Sequence, residues 1–247
     1  MELAIVPLGQ IESTNLIGGK ARALSQLIQA GFMVPPGYAV TTTVFGAMNS
    51  ELKSAVLGSL DMLKVKKVAV RSSAVNEDGK DAAWAGQMDT FLNVGRRGVL
   101  TAVERCWSSA NSPRAVSYAR QRGLKVGPVA VIVQAMINGK TSGVAFSTHP
   151  VTQDDKQMIV EAVPGLAESL VSGNATPDSY VLDKVRGGVI EERINHRRPL
   201  LSAPQLKELK QVICAMEKYF GFPVDVEWTI HRGKLFILQS RPITTLG

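Results

Sequence analysis

Val129-Ala130-Val131-Ile132-Val133 is an unbroken apolar pentad. Successive side chains of a strand point to opposite faces, so five apolar residues in a row need cover on both. A chain containing this segment must build sheet and helix layers around it, and 247 residues suffice for one large domain or two lobes. The change of character at Pro128 sets the expected division, with a first lobe over residues 1–127 and a second over 128–247.

The flanking patterns supply the layers. Ala21, Leu24, Leu27 and Ile28 form one helical stripe behind Gly18-Gly19, closed by Gly31. Tyr38 to Thr43 is β-prone, Leu52 to Leu63 is helical, and Val68 to Arg71 reads as a strand entering a Ser- and Gly-rich loop from Ser72 to about Gln87. After a strand at Phe91 to Val94 come two helices, the second with Ser112 as N-cap, Pro113 at N1 and a stop at Gly123. Further strands are expected at 143–147, 158–162, 180–182 and 188–192. A long helix is expected between Ser202 and Gly221, and a hairpin from Val224 to Arg241.

Composition excludes several classes. With 45% hydrophobic and 20% charged residues the chain is neither disordered nor collagen-like, and no apolar run nears the roughly 18 residues a membrane helix needs. Cys106 and Cys214 fall on apolar helix stripes without paired spacing, which fits a reducing cytoplasm. Lys plus Arg number 28 against 21 Asp plus Glu, a net +7 that attracts anions. The basic clusters (Lys64-Lys66-Lys67, Arg96-Arg97, Arg120-Arg122-Lys125, Arg197-Arg198) are scattered and aromatics are only 6%. No nucleic-acid partner is expected; the excess suits polyphosphate and an acidic partner.

Four segments can carry chemistry. Asp225 and Glu227 share one face of their strand, and Gln239 and Arg241 share one face of the next. A three-residue loop, His231-Arg232-Gly233 with Gly233 left-handed, would pair Asp225 with Gln239 and bring all four together; a two- or four-residue loop would separate the pairs. Hard oxygen donors beside a guanidinium suit Mg²⁺ held with substrate phosphates. Gly18-Gly19-Lys20 at a helix start offers backbone N–H groups, a dipole and an ammonium to a phosphate, without being a Walker A loop. Arg71 ends a short strand before Ser72-Ser73 and a Gly loop with Gly86, Gln87 and Thr90, as a phosphate clamp would. Gln134-Ala135-Met136-Ile137 leaves the apolar strand at the lobe boundary, where backbone groups could read an adenine edge.

These segments, in this order, resemble the nucleotide-binding domain of the phosphoenolpyruvate synthase and pyruvate phosphate dikinase family, which is also found in rifampin phosphotransferases. The resemblance rests on Gly18-Gly19-Lys20-Ala21, Val70 to Ala74, Ala85-Gly86-Gln87 with Thr90 to Val94, Val133 to Met136, Thr176-Pro177-Asp178, Asp225-Val226-Glu227 and Gln239 to Pro242. It implies an α+β, two-lobed ATP-grasp fold with the nucleotide between the lobes, here with a shortened first lobe between Thr43 and Val68. It implies that Lys20, Arg71 and Arg241 hold phosphates, that Glu227 and Gln239 ligate Mg²⁺ with Asp225 in support, and that Gln134 to Ile137, including Met136, contact adenine. Gly86, Gln87 and Thr90 would lie over the polyphosphate. The implied activity is phosphotransfer from ATP to a histidine on a separate swivelling domain or subunit, with release of AMP and a small-molecule acceptor bound elsewhere. None of His149, His196 and His231 stands in such a phosphohistidine motif, so the acceptor histidine is expected in trans. The alternative is a catalytically silent nucleotide-binding subunit with a regulatory or scaffold role.

Overall fold

A computed structural model describes residues 3–75, 88–121, 123–124, 127–171 and 173–244. It comprises two compact units: Met1–Gly31 with Pro35–Met136, and Phe32–Val34 with Ile137–Gly247. The chain passes from one to the other at Met136–Ile137 rather than at 127/128, because the apolar pentad lies inside the first unit's sheet.

The first unit contains β1 (Ile5–Pro7), α1 (Thr14–Gln29), β2 (Gly37–Val40), α2 (Ser50–Leu63), β3 (Val68–Ala74), β4 (Thr90–Val94), α3 (Val99–Ser109), α4 (Pro113–Gln121) and β5 (Val129–Ala135). Its sheet runs β1-β2-β5-β3-β4, with β5 in the middle and buried at all seven positions. On one face Val68, Val70, Val131 and Val133 pack with Leu52 and Val56 of α2 and with Val99, Val103 and Trp107 of α3. The other face of β3 carries Arg71 and Ser73 and meets α1, whose Ala21 N–H donates to Ser73 Oγ at 3.1 Å.

β3 continues through Ser72 and Ser73, where a loop was expected. Both serines are buried, and a buried hydroxyl needs a partner. Ser72 Oγ donates to the Cys106 carbonyl at 3.3 Å on the α3 side, while Ser73 bonds α1. β2 stops at Val40, ahead of the expected Thr43, and residues 42–44 turn as a 3₁₀ helix. Ser112 caps α4 as its sequence suggests, accepting from the Ala115 N–H at 3.2 Å.

The second unit contains β6 (Thr141–Phe146), β7 (Gln157–Pro164), α5 (Glu168–Val171), β8 (Asp178–Asp183), β9 (Val189–Arg193), α6 (Ala203–Phe220), β10 (Val224–His231) and β11 (Lys234–Pro242). The strands form one antiparallel sheet ordered β11-β10-β6-β7-β8-β9. α6 starts where Gln205 Oε1 accepts from the Ser202 N–H at 2.9 Å and ends at Gly221 in the left-handed region. Its stripe Leu206, Leu209, Ile213 and Met216 is buried. The sheet face carrying the in-register row Val226, Ala145, Val160 and Tyr180 is buried too, and Ser147 on that face donates to Glu217 of α6 at 2.9 Å. Among the described residues no helix is long and apolar enough to cross a membrane.

Candidate nucleotide site

The first unit carries a candidate phosphate-binding end built on a broken helix. Gly18 has φ +75°, ψ 168° within α1, and a Cβ there would stand 2.2 Å from the Ser73 carbonyl oxygen, so only glycine fits. The Ser73 hydroxyl fills the break: it donates to the Ile17 carbonyl at 2.9 Å and accepts from the Ala21 N–H at 3.1 Å, the two groups an unbroken helix would join. A fresh helical N-terminus therefore begins at Gly19-Lys20, where N–H groups and the dipole favour an anion. Lys20 follows the break, and its Nζ donates to the Ser72 carbonyl at 3.4 Å. Arg71, buried and two residues before Ser73, shares that face of β3, and its cross-strand partner is the exposed Thr90. Lys20, Arg71 and Thr90 thus gather around one strand. Gly86 and Gln87 lie outside the described residues.

Gln134 lies on the same sheet face as Arg71, in register with Ala69. It is buried, and its Nε2 donates to the Pro35 carbonyl at 3.1 Å. The Met136 N–H donates to the Lys67 carbonyl at 3.1 Å, so that donor serves the fold rather than a base edge. Ile137 begins the second unit.

The second unit carries its candidate residues on β10 and β11. The expected three-residue loop is absent: His231 pairs with Lys234 across a two-residue turn, Arg232 and Gly233, both at positive φ (52° and 74°) as a type I′ turn demands. That turn alone would set the two side-chain pairs on opposite faces. A bulge restores the parity, because opposite Glu227-Trp228 the partner strand advances from Gln239 to Ile237 and leaves Leu238 extra. Asp225 consequently faces Arg241, not Gln239, and Glu227 faces Gln239. All four side chains share one face.

Within this set Asp225 and Arg241 form a fork, with Nε and Nη2 donating to Asp225 Oδ2 at 2.8 and 2.7 Å. Burial pushes the Asp225 carboxyl above its usual range; Arg241 opposes the shift and Glu227 adds to it. Asp225 is engaged by the guanidinium; the Glu227 carboxylate and the Gln239 amide oxygen, on the same face, are hard oxygen groups of the kind a divalent cation takes. Among the described residues no group of three or more His, Cys, Asp or Glu could cage a metal. Two oxygen donors beside a polyphosphate fit Mg²⁺, which keeps waters and takes phosphate oxygens.

The register also brings in a residue that no motif marks. Glu161 of β7 lies in line with Val144 of β6, Glu227 and Gln239 on that face. It is half-buried, and burial raises its pKa. Its signal in the sequence is a charge within the apolar strand Met158 to Val163, flanked on its own face by Ile159 and Val163.

The two units, each an antiparallel sheet with helices packed against it, have the fold of the ATP-grasp class. In fold the chain is similar to VanG D-Ala:D-Ser ligase from Enterococcus faecalis, with a TM-score of 0.51 at 11% identity, covering 91% of this chain and 52% of that one. Residues 46–199 and 192–247 match the family described as pyruvate phosphate dikinase, AMP/ATP-binding domain, and the chain belongs to that family. It is 34% identical over 302 residues to a probable phosphoenolpyruvate synthase of Archaeoglobus fulgidus, covering 94% of this chain and 40% of that protein. It is 31% identical over 315 residues to the rifampicin phosphotransferase of Bacillus subtilis, covering 100% of this chain and 36% of that protein. Both alignments exceed the chain's 247 residues, so the relatives carry segments that this chain lacks. The chain spans less than half the length of either relative.

Proposed function

We propose that this chain is the nucleotide-binding part of an ATP-dependent phosphotransferase that binds Mg-ATP and phosphorylates a histidine on a separate domain or subunit, with AMP as the product: of the two phosphoryl groups that leave ATP, one stays on the histidine and the other passes to water as inorganic phosphate. The observation that carries the reading is the bulge-set convergence of Asp225, Glu227, Gln239 and Arg241 on one sheet face. Names of relatives at about one-third identity support the reaction class.

In this reading Lys20, Arg71 and Arg241 bind phosphate oxygens, and Thr90 donates to the polyphosphate. Asp225 holds the Arg241 guanidinium in place through its paired hydrogen bonds. Glu227 and Gln239 hold Mg²⁺, which when bound neutralises charge on the transferring phosphoryl group. Residues 134–137 line the base, through Ala135, Ile137 and the Met136 carbonyl rather than the Met136 N–H. The demand on the protein is positioning and charge stabilisation, the principal requirement of phosphoryl transfer.

The test is ATP turnover with a candidate histidine domain supplied in trans, reading AMP and phosphohistidine. Glu227→Ala and Arg241→Ala are each expected to lower the rate by about a hundredfold or more. Unchanged rates in both variants would remove the assignment, and tight Mg-ATP binding without turnover under any partner would favour the silent scaffold.

A further inference from the structure

We infer that Glu161 accepts a hydrogen bond from the ribose hydroxyls of the bound nucleotide and so selects ribonucleotide over deoxyribonucleotide. This rests on the nucleotide-binding reading above. Gln239, Glu227, Val144 and Glu161 occupy consecutive strands in one row, so Glu161 stands two strands from Glu227, roughly 10 Å away at ordinary strand spacing. The two ends of the row differ in chemistry. At β10 and β11 the oxygen donors and Arg241 suit a metal and phosphates. At β6 and β7 the neighbours on the same face are Val144, Phe146 and Ile159, all half-buried, an apolar ground that suits the uncharged part of a nucleotide.

Glu161 is set into that ground without a partner: among the described residues no hydrogen bond or ion pair reaches its carboxylate, and burial is the only influence on its pKa. A carboxylate withdrawn from water at a fixed place is a cost to the folded chain, and one that the chain does not offset points to a ligand that does. A phosphate there would be repelled. Neutral donors are accepted, and a nucleoside has two kinds: the sugar hydroxyls and the exocyclic amine of the base.

The experiment titrates the whole chain, wild type and Glu161→Gln, with Mg-ATP, Mg-2′-deoxyATP, Mg-3′-deoxyATP and Mg-ITP, alongside thermal unfolding without nucleotide. Wild type is expected to bind at least one deoxy analogue about tenfold more weakly than ATP. Glu161→Gln is expected to lose about tenfold in ATP affinity, to bind ATP and the deoxy analogues alike, and to unfold at a higher temperature than wild type. A residue with only a structural role would not move affinity and stability in opposite directions. Unchanged ATP affinity, or an unchanged ratio between ATP and both deoxy analogues, would overturn the inference. A changed ATP-to-ITP ratio in place of a changed ribose ratio would overturn it in favour of the amine. Failure of wild type to bind Mg-ATP at all would instead sink the nucleotide reading on which it stands.

Discussion

Both faces of the six-stranded sheet carry carboxylates withdrawn from water, and the two faces treat them in opposite ways. Asp178, on the face of Trp228 and α6, is fully buried. It accepts from the backbone N–H groups of Asn195, His196 and Leu200 at 2.8, 3.2 and 3.0 Å, and from His196 Nδ1 at 2.8 Å. Burial works against its charge, but these donors outweigh it and the pKa falls below the usual range. Asp225 and Glu161, on the other face, have pKa values raised by burial. Asp178, surrounded by donors that the chain supplies, is a staple of the fold; Asp225 is held by one guanidinium; Glu161, to which no described group donates, is available to a ligand. Thr176-Pro177-Asp178 is part of the family pattern, yet its acid ties the segment after β9 to the sheet and lies on the face away from Glu227.

The largest effect should come from the staple. Asp178→Ala leaves three backbone donors and an imidazole without an acceptor and is expected to cost about 3–5 kcal/mol in urea unfolding, with Mg-ATP affinity retained in the folded fraction. Equal losses of stability from Asp178→Ala and Glu161→Ala would break the contrast between the faces. Next comes Arg241→Met, which strips Asp225 of its counter-charge. A loss of about 2 kcal/mol is expected, less than for Asp178→Ala because the Asp225 carboxyl, already raised in pKa, can take up a proton. The double variant Arg241→Met with Asp225→Asn should recover much of that stability while phosphate binding stays impaired, as a double-mutant cycle would reveal.

How far the sequence disclosed these arrangements depended on whether the deciding interaction was local. Ser202 with Gln205, and Ser112 before Pro113, are caps written within four residues, and they mark the starts of α6 and α4. Gly18-Gly19-Lys20 marked a helix start, but the helix begins earlier, at Thr14, and is only broken there, because the hydroxyl that splits it belongs to Ser73 on a distant strand. The convergence of Asp225, Glu227, Gln239 and Arg241 is legible as a question of parity, but the sequence does not show the device that settles it. Arg232-Gly233 turns in two residues, and the compensating bulge at Leu238 lies where no turn residue announces it. Glu161 had no motif to mark it; only the pairing of β6 with β7 and β10 puts it in line with Glu227.

The smallest effect is the most discriminating, because its sign is opposite to that of the others. Glu161→Gln should stabilise the nucleotide-free chain at neutral pH by roughly 1 kcal/mol, as removal of a strained functional group commonly does. The pH dependence fixes the cause. A carboxyl whose folded pKa is raised destabilises the folded state fully above that pKa, and the penalty disappears once pH falls below the unfolded value, roughly 4.3 for Glu. The advantage of Glu161→Gln over wild type should therefore shrink on acidification and vanish near pH 4. For Asp178, whose folded pKa is lowered, the stabilisation is present above the unfolded value of roughly 3.9 and is lost only as pH drops through the lower folded value. The deficit of Asp178→Asn against wild type should thus persist at pH 4, where the Glu161→Gln advantage has gone, and close only in stronger acid. Urea midpoints of the three proteins across that range read both curves, and parallel curves for the two variants would show that the two faces hold their carboxylates alike.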